Sequence, residues 1–309
     1  MSQKPSNKGR SDHKGRSDLL KPSFEALPQT DPLGLSPLHG PPRSQHLVLV
    51  LGVGPGMGLA IARAFAEQGY ATVIMSRNKA RLDTWVKELD ETARSRRKRD
   101  GEEAIGSSSG STLGLSRAVA CDVLSTDSVK AALAEAMAAF PGYKLGTAIY
   151  NASVRQKKPF LEQTDAHVTD SLQASVASAF AFMQACIRSM LTNGDGVGGN
   201  ILATGATSAT RGRAGFAAFS AGKTGLRRLC EVAAREYGPA GIHVSHVVVD
   251  GLIDSQTARD YLGLPKGSRF PDASVVLPSE AAKSYVFLAQ QQSSSWTFEM
   301  DLRTAREHF

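Results

Sequence analysis

Short runs of apolar residues, each about the length of one strand, recur along the chain. They are continuous rather than alternating, which is typical of strands buried on both faces of a parallel sheet. Between them lie segments with apolar residues at helical spacing, of which 166–192 and 215–238 are the longest. This alternation predicts an α/β fold: a doubly wound, mostly parallel sheet with helices on both faces. The predicted strands lie near 46–52, 71–76, 116–122, 146–151, 198–204, 242–249 and 295–301.

A glycine-rich turn follows the first predicted strand. Gly52, Gly56 and Gly58 give the spacing G-x-x-x-G-x-G, and apolar residues then fall at helical spacing over 59–68 before a second buried strand. A strand, a glycine turn, a helix and a strand form one βαβ unit, whose helix N-terminus offers free N–H groups to a phosphate. The spacing differs from the common G-x-G-x-x-G, and a glycine-rich turn also occurs for purely conformational reasons.

The end of the second strand indicates which cofactor such a turn would bind. It reads Ser76-Arg77 and carries no Asp or Glu for a pair of ribose hydroxyls. An arginine at this point suits a 2′-phosphate, so NADP(H) is favoured over NAD(H). The alternative is that Arg77 only stands at the start of a surface helix.

Further motifs follow in a fixed order. They include Tyr150-Asn151-Ala-Ser after the fourth strand, Phe219 four residues before Lys223, and Val249-Asp250-Gly-Leu-Ile253 at the last strand–helix junction. Together with the glycine turn, these segments resemble the short-chain dehydrogenase/reductase family over residues 46–309. That family has the motifs T-G-x-x-x-G-x-G, N-N-A-G, Y-x-x-x-K and P-G in the same order. The resemblance implies a single Rossmann-type domain.

The resemblance also implies a set of cofactor-binding positions. Leu51 stands where the family has threonine, and Asp250 where it has proline. The implied positions are Gly52, Gly56, Met57 and Gly58 at the pyrophosphate, Ser76 and Arg77 at the 2′-position, Asp122 and Val123 against the adenine, Asn151 and Ala152 beside the adenosine ribose, Lys223 at the nicotinamide ribose, and Ile253 and Ser255 near the carboxamide. For Lys223 the alternative is an exposed helical lysine without a ligand.

The catalytic positions depart from the family pattern. Phe219 stands where the family has its tyrosine, Ala206 where it has serine, and Ser175 where it has asparagine, so only Lys223 of that tetrad is retained. The family's tyrosine protonates the carbonyl oxygen as hydride arrives, and a phenyl ring has no proton to donate. The resemblance therefore implies an atypical active site.

Other polar residues lie near the predicted strand ends. Thr207 and Ser208 flank the serine position, where hydroxyls could orient a carbonyl or a water, although they are poor acids; the alternative is that they bond the loop backbone. His167, His243 and His246 do not fall at metal-ligand spacing, and His243 is more readily explained as structural. No metal site is expected.

The positive charge of the chain is concentrated in two segments. Residues 1–45 carry seven Lys/Arg against four Asp/Glu, and 94–100 carry five against one, which accounts for the whole net charge of +7. The first segment is rich in proline and predicts a disordered tail. The second runs into a Gly/Ser-rich stretch and predicts a flexible basic insert near 94–114. Such a run can contact nucleic acid or import receptors, but solvation alone is the simpler interpretation and nucleic acid is not expected as a partner.

The cellular compartment and the oligomeric state are inferred from the cysteines, the apolar stretches and the family resemblance. Cys121, Cys186 and Cys230 are scattered, which suits a reducing, cytoplasmic environment. No apolar stretch is expected to reach transmembrane length, and no secretory signal is evident. The resemblance implies a homodimer or homotetramer formed through the helices over 166–192 and 215–238.

Three functions are consistent with this sequence. The first is an NADP-dependent oxidoreductase that moves hydride to or from a small carbonyl or alcohol with an atypical site. The second is a cofactor-binding pseudoenzyme that acts as a sensor or as a subunit of an assembly. The third assigns the basic segments to a nucleic-acid contact. Family membership favours the first.

Overall fold

A computed structural model describes residues 45–101, 114–193, 198–271 and 273–307. Seven strands form one sheet in the order β3-β2-β1-β4-β5-β6-β7, and every neighbouring pair is parallel. The doubly wound fold is thus confirmed, with a sheet that is parallel throughout this part of the chain. The strands are β1 His46–Leu51, β2 Ala71–Ser76, β3 Ser116–Ala120, β4 Lys144–Tyr150, β5 Gly199–Thr204, β6 Ile242–Asp250 and β7 Glu299–Arg303.

Helices cover both faces of the sheet. Helix α1 packs against α2 and α8, whereas α5 packs against α3, and α4 packs against α6. The strand order reverses between β1 and β4, which opens a crevice at the carboxyl ends of these strands. The helices are α1 Met57–Glu67, α2 Lys79–Arg99, α3 Thr126–Ala138, α4 Asp165–Leu172, α5 Ser178–Leu191, α6 Ala217–Tyr237, α7 Gln256–Tyr261 and α8 Pro278–Ala289.

The core lies between the sheet and these two helical layers. All six residues of β1 and all nine of β6 are buried. Such strands have no solvent face, which explains why their sequences are continuous apolar runs. At the edge of the sheet β7 is only half-buried and begins at Glu299, later than the predicted start at 295.

The basic run over 94–100 does not form the predicted flexible insert. Its first six residues are the end of α2. Arg97 is 4% exposed and its Nε donates to the Gly69 carbonyl at 2.7 Å. Arg96 pairs with Asp100 at 2.8 Å. The rest of the predicted insert, over 102–113, lies outside the described residues, as does the predicted tail except for Gln45.

The segment predicted as one long helix over 166–192 is a compound helix. Helices α4 and α5 are joined by a π-helical turn, Gln173–Ala177. By length and composition, Asp165–Leu191 could cross a membrane, contrary to the expectation that no stretch reaches that length. More than half of its most apolar window is buried within the fold, as in a core helix, so it is weak evidence for a membrane span.

Candidate active site

The crevice between β1 and β4 is formed by a very close approach of two strand ends. The backbone N–H of Asn151 donates to Leu51 at 2.8 Å, and Asn151 Nδ2 donates to the Gly52 carbonyl at 2.9 Å. Gly52 has φ +94°, and a Cβ there would lie 2.4 Å from the backbone nitrogen of Ala152. A Cβ on Gly58 would lie 2.6 Å from the Gly52 oxygen. These two glycines are therefore required by packing alone.

The two other glycines of the turn border open space. A Cβ on Gly54 would meet no atom within 4 Å, and the nearest atom to one on Gly56 would be Ser255 Cβ at 3.9 Å. This space lies at the start of α1, where the first N–H groups of a helix have no intrahelical acceptor. Gly56 is the N-cap and offers no side-chain cap. An open cradle with free N–H groups fits a pyrophosphate.

An exposed arginine, Arg77, follows the end of β2. Arg77 is exposed and has no carboxylate partner among the residues that the structure describes. Ser76 is half-buried, Asn78 caps α2 through Arg81 N, and the first turn of α2 contains no acidic residue. The geometry thus leaves Arg77 available to a phosphate, and it is also the residue that leads into a surface helix.

The predicted adenine position lies at the end of β3. Asp122 Oδ1 accepts from Leu124 N at 3.0 Å, and the Asp122 N–H donates to Ser128 Oγ at 2.9 Å. The Val123 carbonyl accepts from Ser178 Oγ at 2.7 Å. These bonds fix the loop after β3 beside the crevice.

Lys223 is buried, which excludes the exposed helical lysine considered above. It is 2% exposed, and its Nζ donates to the Thr204 carbonyl at 2.6 Å. Burial lowers the pKa of the amine from 10.5 to about 8. The ammonium lies 5.9 Å from the ring centroid of Phe219.

Thr204 connects this lysine to the glycine turn. Thr204 Oγ1 donates to Asn151 Oδ1 at 2.9 Å and is 2.7 Å from the hydroxyl of Tyr285. Asn151 in turn donates to the Gly52 carbonyl. A continuous hydrogen-bonded chain therefore runs from Lys223 to the first glycine of the turn. The part of Tyr285 was missed because no local pattern connects it with Thr204, which lies 81 residues earlier in the sequence.

Of the three altered tetrad positions, Phe219 lies on α6, Ser175 packs against α6, and Ala206 lies in the loop after β5. Phe219 is 7% exposed, one turn before Lys223. Ser175 is fully buried in the π-helical turn, and a Cβ on Gly222 would lie 3.1 Å from its Cβ. Its Oγ has no hydrogen-bond partner in the described part of the chain. Ala206 is half-buried after β5, before a short turn that packs on α6.

Thr207 does not bond the loop backbone through its hydroxyl. It donates to Asp250 Oδ1, and Asp250 is 4% exposed with Arg303 Nη1 at 3.4 Å from its other oxygen. Ser208 is half-buried and makes no hydrogen bond through its hydroxyl within the described ranges. A cavity of about 320 Å³, which sequence reasoning missed, adjoins this pair and is lined by Thr207, Thr210, Arg211, Val248, Asp250, Glu299, Asp301 and Arg303.

The histidines have structural surroundings. The ring of His243 stacks on Trp296 with centroids 5.0 Å apart, and His167 closes a capping box at the start of α4. His246 Nδ1 is 2.9 Å from Glu299, and burial lowers the pKa of its ring. No group of His, Cys, Asp or Glu in the described residues could hold a metal ion.

The predicted carboxamide side lies after β6. Ile253 forms an isolated parallel bridge with Val276. Ser255 caps α7 by accepting from Ala258 N at 3.1 Å and donates to the Ile253 carbonyl at 3.2 Å. Since Ser255 Cβ is also the atom nearest to a Cβ on Gly56, this segment closes the crevice opposite the glycine turn.

Comparison with known proteins places this arrangement in a family. D-threitol dehydrogenase of Mycolicibacterium smegmatis is 27% identical over 252 residues, 80% of this chain and 87% of that protein. A short-chain dehydrogenase from Rhodopseudomonas palustris matches with a TM-score of 0.63 at 30% identity, over 85% of this chain and 99% of that one. An alcohol dehydrogenase from Thermococcus sibiricus, complexed with 5-hydroxy-NADP, has a TM-score of 0.67 at 19% identity, over 85% and 98%.

The family model for short chain dehydrogenases matches residues 46–262, which include the glycine turn, Asn151 and Lys223. This match covers more than half of the chain and the crevice described above. The protein therefore belongs to the short-chain dehydrogenase/reductase family, whose members are generally oxidoreductases.

Proposed function

We propose that this protein is an NADP-dependent oxidoreductase that transfers hydride to or from a small carbonyl or alcohol through an atypical active site. The observation that carries the proposal is the chain of hydrogen bonds from the open glycine cradle, through Asn151 and Thr204, to the buried Lys223. Lys223 has no carboxylate partner among the residues that the structure describes, and a buried charge without such a partner is costly. A bound nicotinamide would supply or accept the hydride.

The residues of the chain have distinct tasks in this proposal. The turn over 52–58 binds the pyrophosphate with backbone N–H groups, and Lys223 binds the ribose hydroxyls with its ammonium. Ile253 and Ser255 border the carboxamide. The crevice between the strand ends orients the substrate, which is the main contribution that such a site makes to rate.

The site lacks the usual donor of a proton to the carbonyl oxygen of the substrate. Phe219 has none to give, and Thr207 already donates its own to Asp250. The remaining donors around the altered tetrad include, in the described part of the chain, the Lys223 ammonium and the hydroxyls of Ser208 and of the fully buried Ser175. Loss of a positioned general acid lowers the rate by roughly 10²–10⁴-fold, so we expect slow turnover on ordinary ketones and faster turnover on activated carbonyls.

The preference for NADP rests on Arg77. It is exposed, is free of carboxylates in the described chain, and faces no acidic residue at the start of α2. Hydrogen bonds to a charged group contribute about 1.5–3 kcal/mol. Arg77→Ala should therefore weaken NADPH binding by about tenfold or more and leave NADH binding unchanged.

The test is a titration of the pure protein with both cofactors. Arg81→Ala, which removes another exposed arginine in the first turn of α2, is the control and should keep the wild-type affinities. Equal affinities of the wild type for NADPH and NADH would refute the NADP assignment. If neither dinucleotide binds, the cofactor proposal fails entirely.

We also propose a homodimer or homotetramer formed through the helices α4–α6, and a cytoplasmic location. The exposed faces of these helices carry large apolar side chains, namely Val168, Leu172, Phe180, Leu191 and Val232. The three cysteines are free and buried, which suits a reducing compartment. Light scattering on the purified protein should give a mass of two or four chains, and a monomer would refute the assembly.

A pseudoenzyme is the second candidate, and the observation that favours it is Phe219 in the position of the acid. The two candidates differ in turnover. A protein that binds NADPH but oxidises none of it across a broad panel of carbonyls would be the pseudoenzyme.

A further inference from the structure

An aromatic and cationic rim lies beside the proposed active site. The guanidinium carbon of Arg155 is 4.8 Å from the ring centroid of Phe216 and 5.6 Å from that of Tyr261. Lys157 Nζ donates to the hydroxyl of Tyr261 at 2.9 Å. The rim therefore joins three segments of the chain: the loop after β4, the start of α6, and the end of α7.

The loop that carries the two cations is anchored to the turn before α6. The backbone N–H of Lys158 donates to the Gly215 carbonyl at 3.0 Å, and Gln163 Nε2 donates to the Lys158 carbonyl at 3.0 Å. Gly215 has φ +85°, and a Cβ on it would lie 3.2 Å from Cγ of Lys157. The position of Lys157 is thereby fixed relative to α6.

The rim is adjacent to the altered catalytic position. Phe216 contacts both groups: its ring centroid is 6.3 Å from that of Phe219 and 4.8 Å from the guanidinium carbon of Arg155. Through Phe216, the rim adjoins the altered catalytic position, close enough for one small substrate to contact both. Loops at the carboxyl ends of the strands are also where open α/β sheets bind their substrates.

The charge of this rim is unbalanced. Its cations are Arg155 and Lys157, joined by Arg213 from the loop after β5, and none of the three has an ion-pair partner among the residues that the structure describes. Of the acids on α7 and its flank, Asp254 pairs with Arg259 at 2.7 Å, whereas Asp260 accepts from the neutral amide of Gln256 at 2.7 Å and keeps its charge, so the three cations outnumber it.

The state of Tyr261 agrees with a positive local field. The hydrogen bond from Lys157 lowers the pKa of its phenol, and the charges of Lys157, Arg155 and Arg213 lower it further. Unpaired cations at close range repel each other, so the rim is stabilised by an anion that enters it.

We propose that this rim is the specificity site for an anionic group, a carboxylate or a phosphate, at the far end of the substrate from the reacting carbonyl. A guanidinium held against aromatic faces keeps its N–H edge for a pair of oxygens, which is the geometry of bidentate recognition. Lys157 adds a second charge that Tyr261 holds in place. The inference rests on the proposed function for the identity of the reaction, and it adds the class of substrate.

The test compares matched probes in the presence of saturating NADP⁺, which fills the phosphate sites of the cofactor and prevents reduction. The probes are 4-formylbenzoate, its neutral methyl ester, and 4-formylphenyl phosphate, titrated calorimetrically. At least one of the two anions should bind about tenfold more tightly than the ester, as expected for a charge-assisted hydrogen bond. The comparison of carboxylate with phosphate identifies the preferred anion. The preference should shrink when salt is raised to roughly 0.5 M, because salt screens exposed charges.

Three variants locate the effect. Arg155→Gln should remove most of the preference and Lys157→Gln part of it, with ester affinity and NADPH affinity unchanged. Lys87→Gln, a substitution of an 86% exposed lysine side chain on α2, is the control and should change nothing. Thermal melting verifies the fold of each variant, and the salt dependence of the wild type tests the inference even if one of them is unstable.

Failure of the inference can be told apart from failure of the proposed function. If NADPH binds but both anions bind no more tightly than the ester, the specificity site is refuted and the oxidoreductase proposal stands. If no dinucleotide binds, the oxidoreductase proposal fails, and an anion preference of the free protein that Arg155→Gln removes would still support the rim as an anion site.

Discussion

Replacing Lys223 with methionine should make the protein more stable at neutral pH while weakening its hold on NADPH. Methionine keeps the length and apolar stem of the side chain and removes the amine. Burial lowers the pKa of that amine from 10.5 to about 8. At about 1.36 kcal/mol per pKa unit, the buried charge opposes folding by about 3 kcal/mol. The variant also loses the hydrogen bond to the Thr204 carbonyl, worth about 1 kcal/mol, so the net gain is about 2 kcal/mol.

The stability difference between Lys223→Met and the wild type should depend on pH. The pKa of Lys223 is lower in the folded than in the unfolded chain, so between about 8 and 10.5 the unfolded chain binds a proton that the folded one does not. In that window the stability of the wild type rises with pH, whereas below pH 8 both states are protonated and the full penalty is present. The advantage of Lys223→Met should therefore be greatest at or below pH 8 and shrink towards pH 10.5.

The assay is thermal or urea unfolding of both proteins at neutral and alkaline pH. A gain of about 2 kcal/mol raises the Tm of a domain of this size by about 4 °C. Lys87→Met, at an exposed position on α2, is the control for the loss of a charge and should not differ from the wild type at either pH. A lower Tm for Lys223→Met, by the same amount at both pH values, would refute the reasoning, because the amine would then be a net structural contact.

Three further predictions concern the rest of the site and the tail. Phe219→Tyr with Ala206→Ser should raise NADPH-dependent reduction of activated diketones by about 10²-fold; a fast wild type that slows on Phe219→Tyr would mean that another residue is the acid. Thr204→Val should cost about 1–3 kcal/mol of stability and weaken NADPH binding, because it breaks the link to the glycine turn and leaves the buried Tyr285 hydroxyl unpaired; an unchanged NADPH affinity would refute this link. A chain that begins near Ser44 should keep its Tm and NADPH affinity, and a Tm lower by more than a few degrees would show that the predicted tail packs on the fold.

The strands were predictable from sequence because each buried strand is a continuous apolar run. The start of β7, one of the two edge strands, was predicted too early because the prediction relied on apolar residues. The apolar residues Trp296 and Phe298 precede β7 in the sequence, whereas β7 itself begins at Glu299 and is only half-buried. An edge strand with one exposed side does not give a continuous apolar signal.

The end of α2 was missed because a charged residue occupies a core position. The buried positions of this helix are Leu82, Leu89, Ala93 and Arg97. The apolar pattern stops at Ala93, so the following arginines read as a surface run. Arg97 is tolerated in the interior because its guanidinium donates to the Gly69 carbonyl, an acceptor that only the folded chain brings near.

The geometry of the glycine turn was easier to predict than the rim of Arg155, Lys157, Phe216 and Tyr261. The glycine turn is local, so its spacing alone indicates where the backbone must approach closely. The pairs Thr204–Tyr285 and Arg155–Tyr261 join residues that are far apart in the sequence, and no periodic pattern predicts them. The three cations within 155–158, directly after the fourth strand, were the available signal for the rim.

Lys223 and the altered tetrad positions differ in what they cost the stability of the fold. A methionine at position 223 would remove a penalty of about 3 kcal/mol, which is a large part of the net stability of a typical domain. The lysine is therefore difficult to explain as a structural residue, and it lies at the end of the hydrogen-bonded chain that leads to the glycine turn. The proton-donating positions, by contrast, hold Phe219 and Ala206, which carry no such penalty. On the proposed function, we therefore expect the site to bind a dinucleotide with its ribose ordered, and its rate to be limited by proton delivery rather than by cofactor binding. If Lys223→Met both stabilises the fold and weakens NADPH binding, the lysine is kept for binding the dinucleotide rather than for folding.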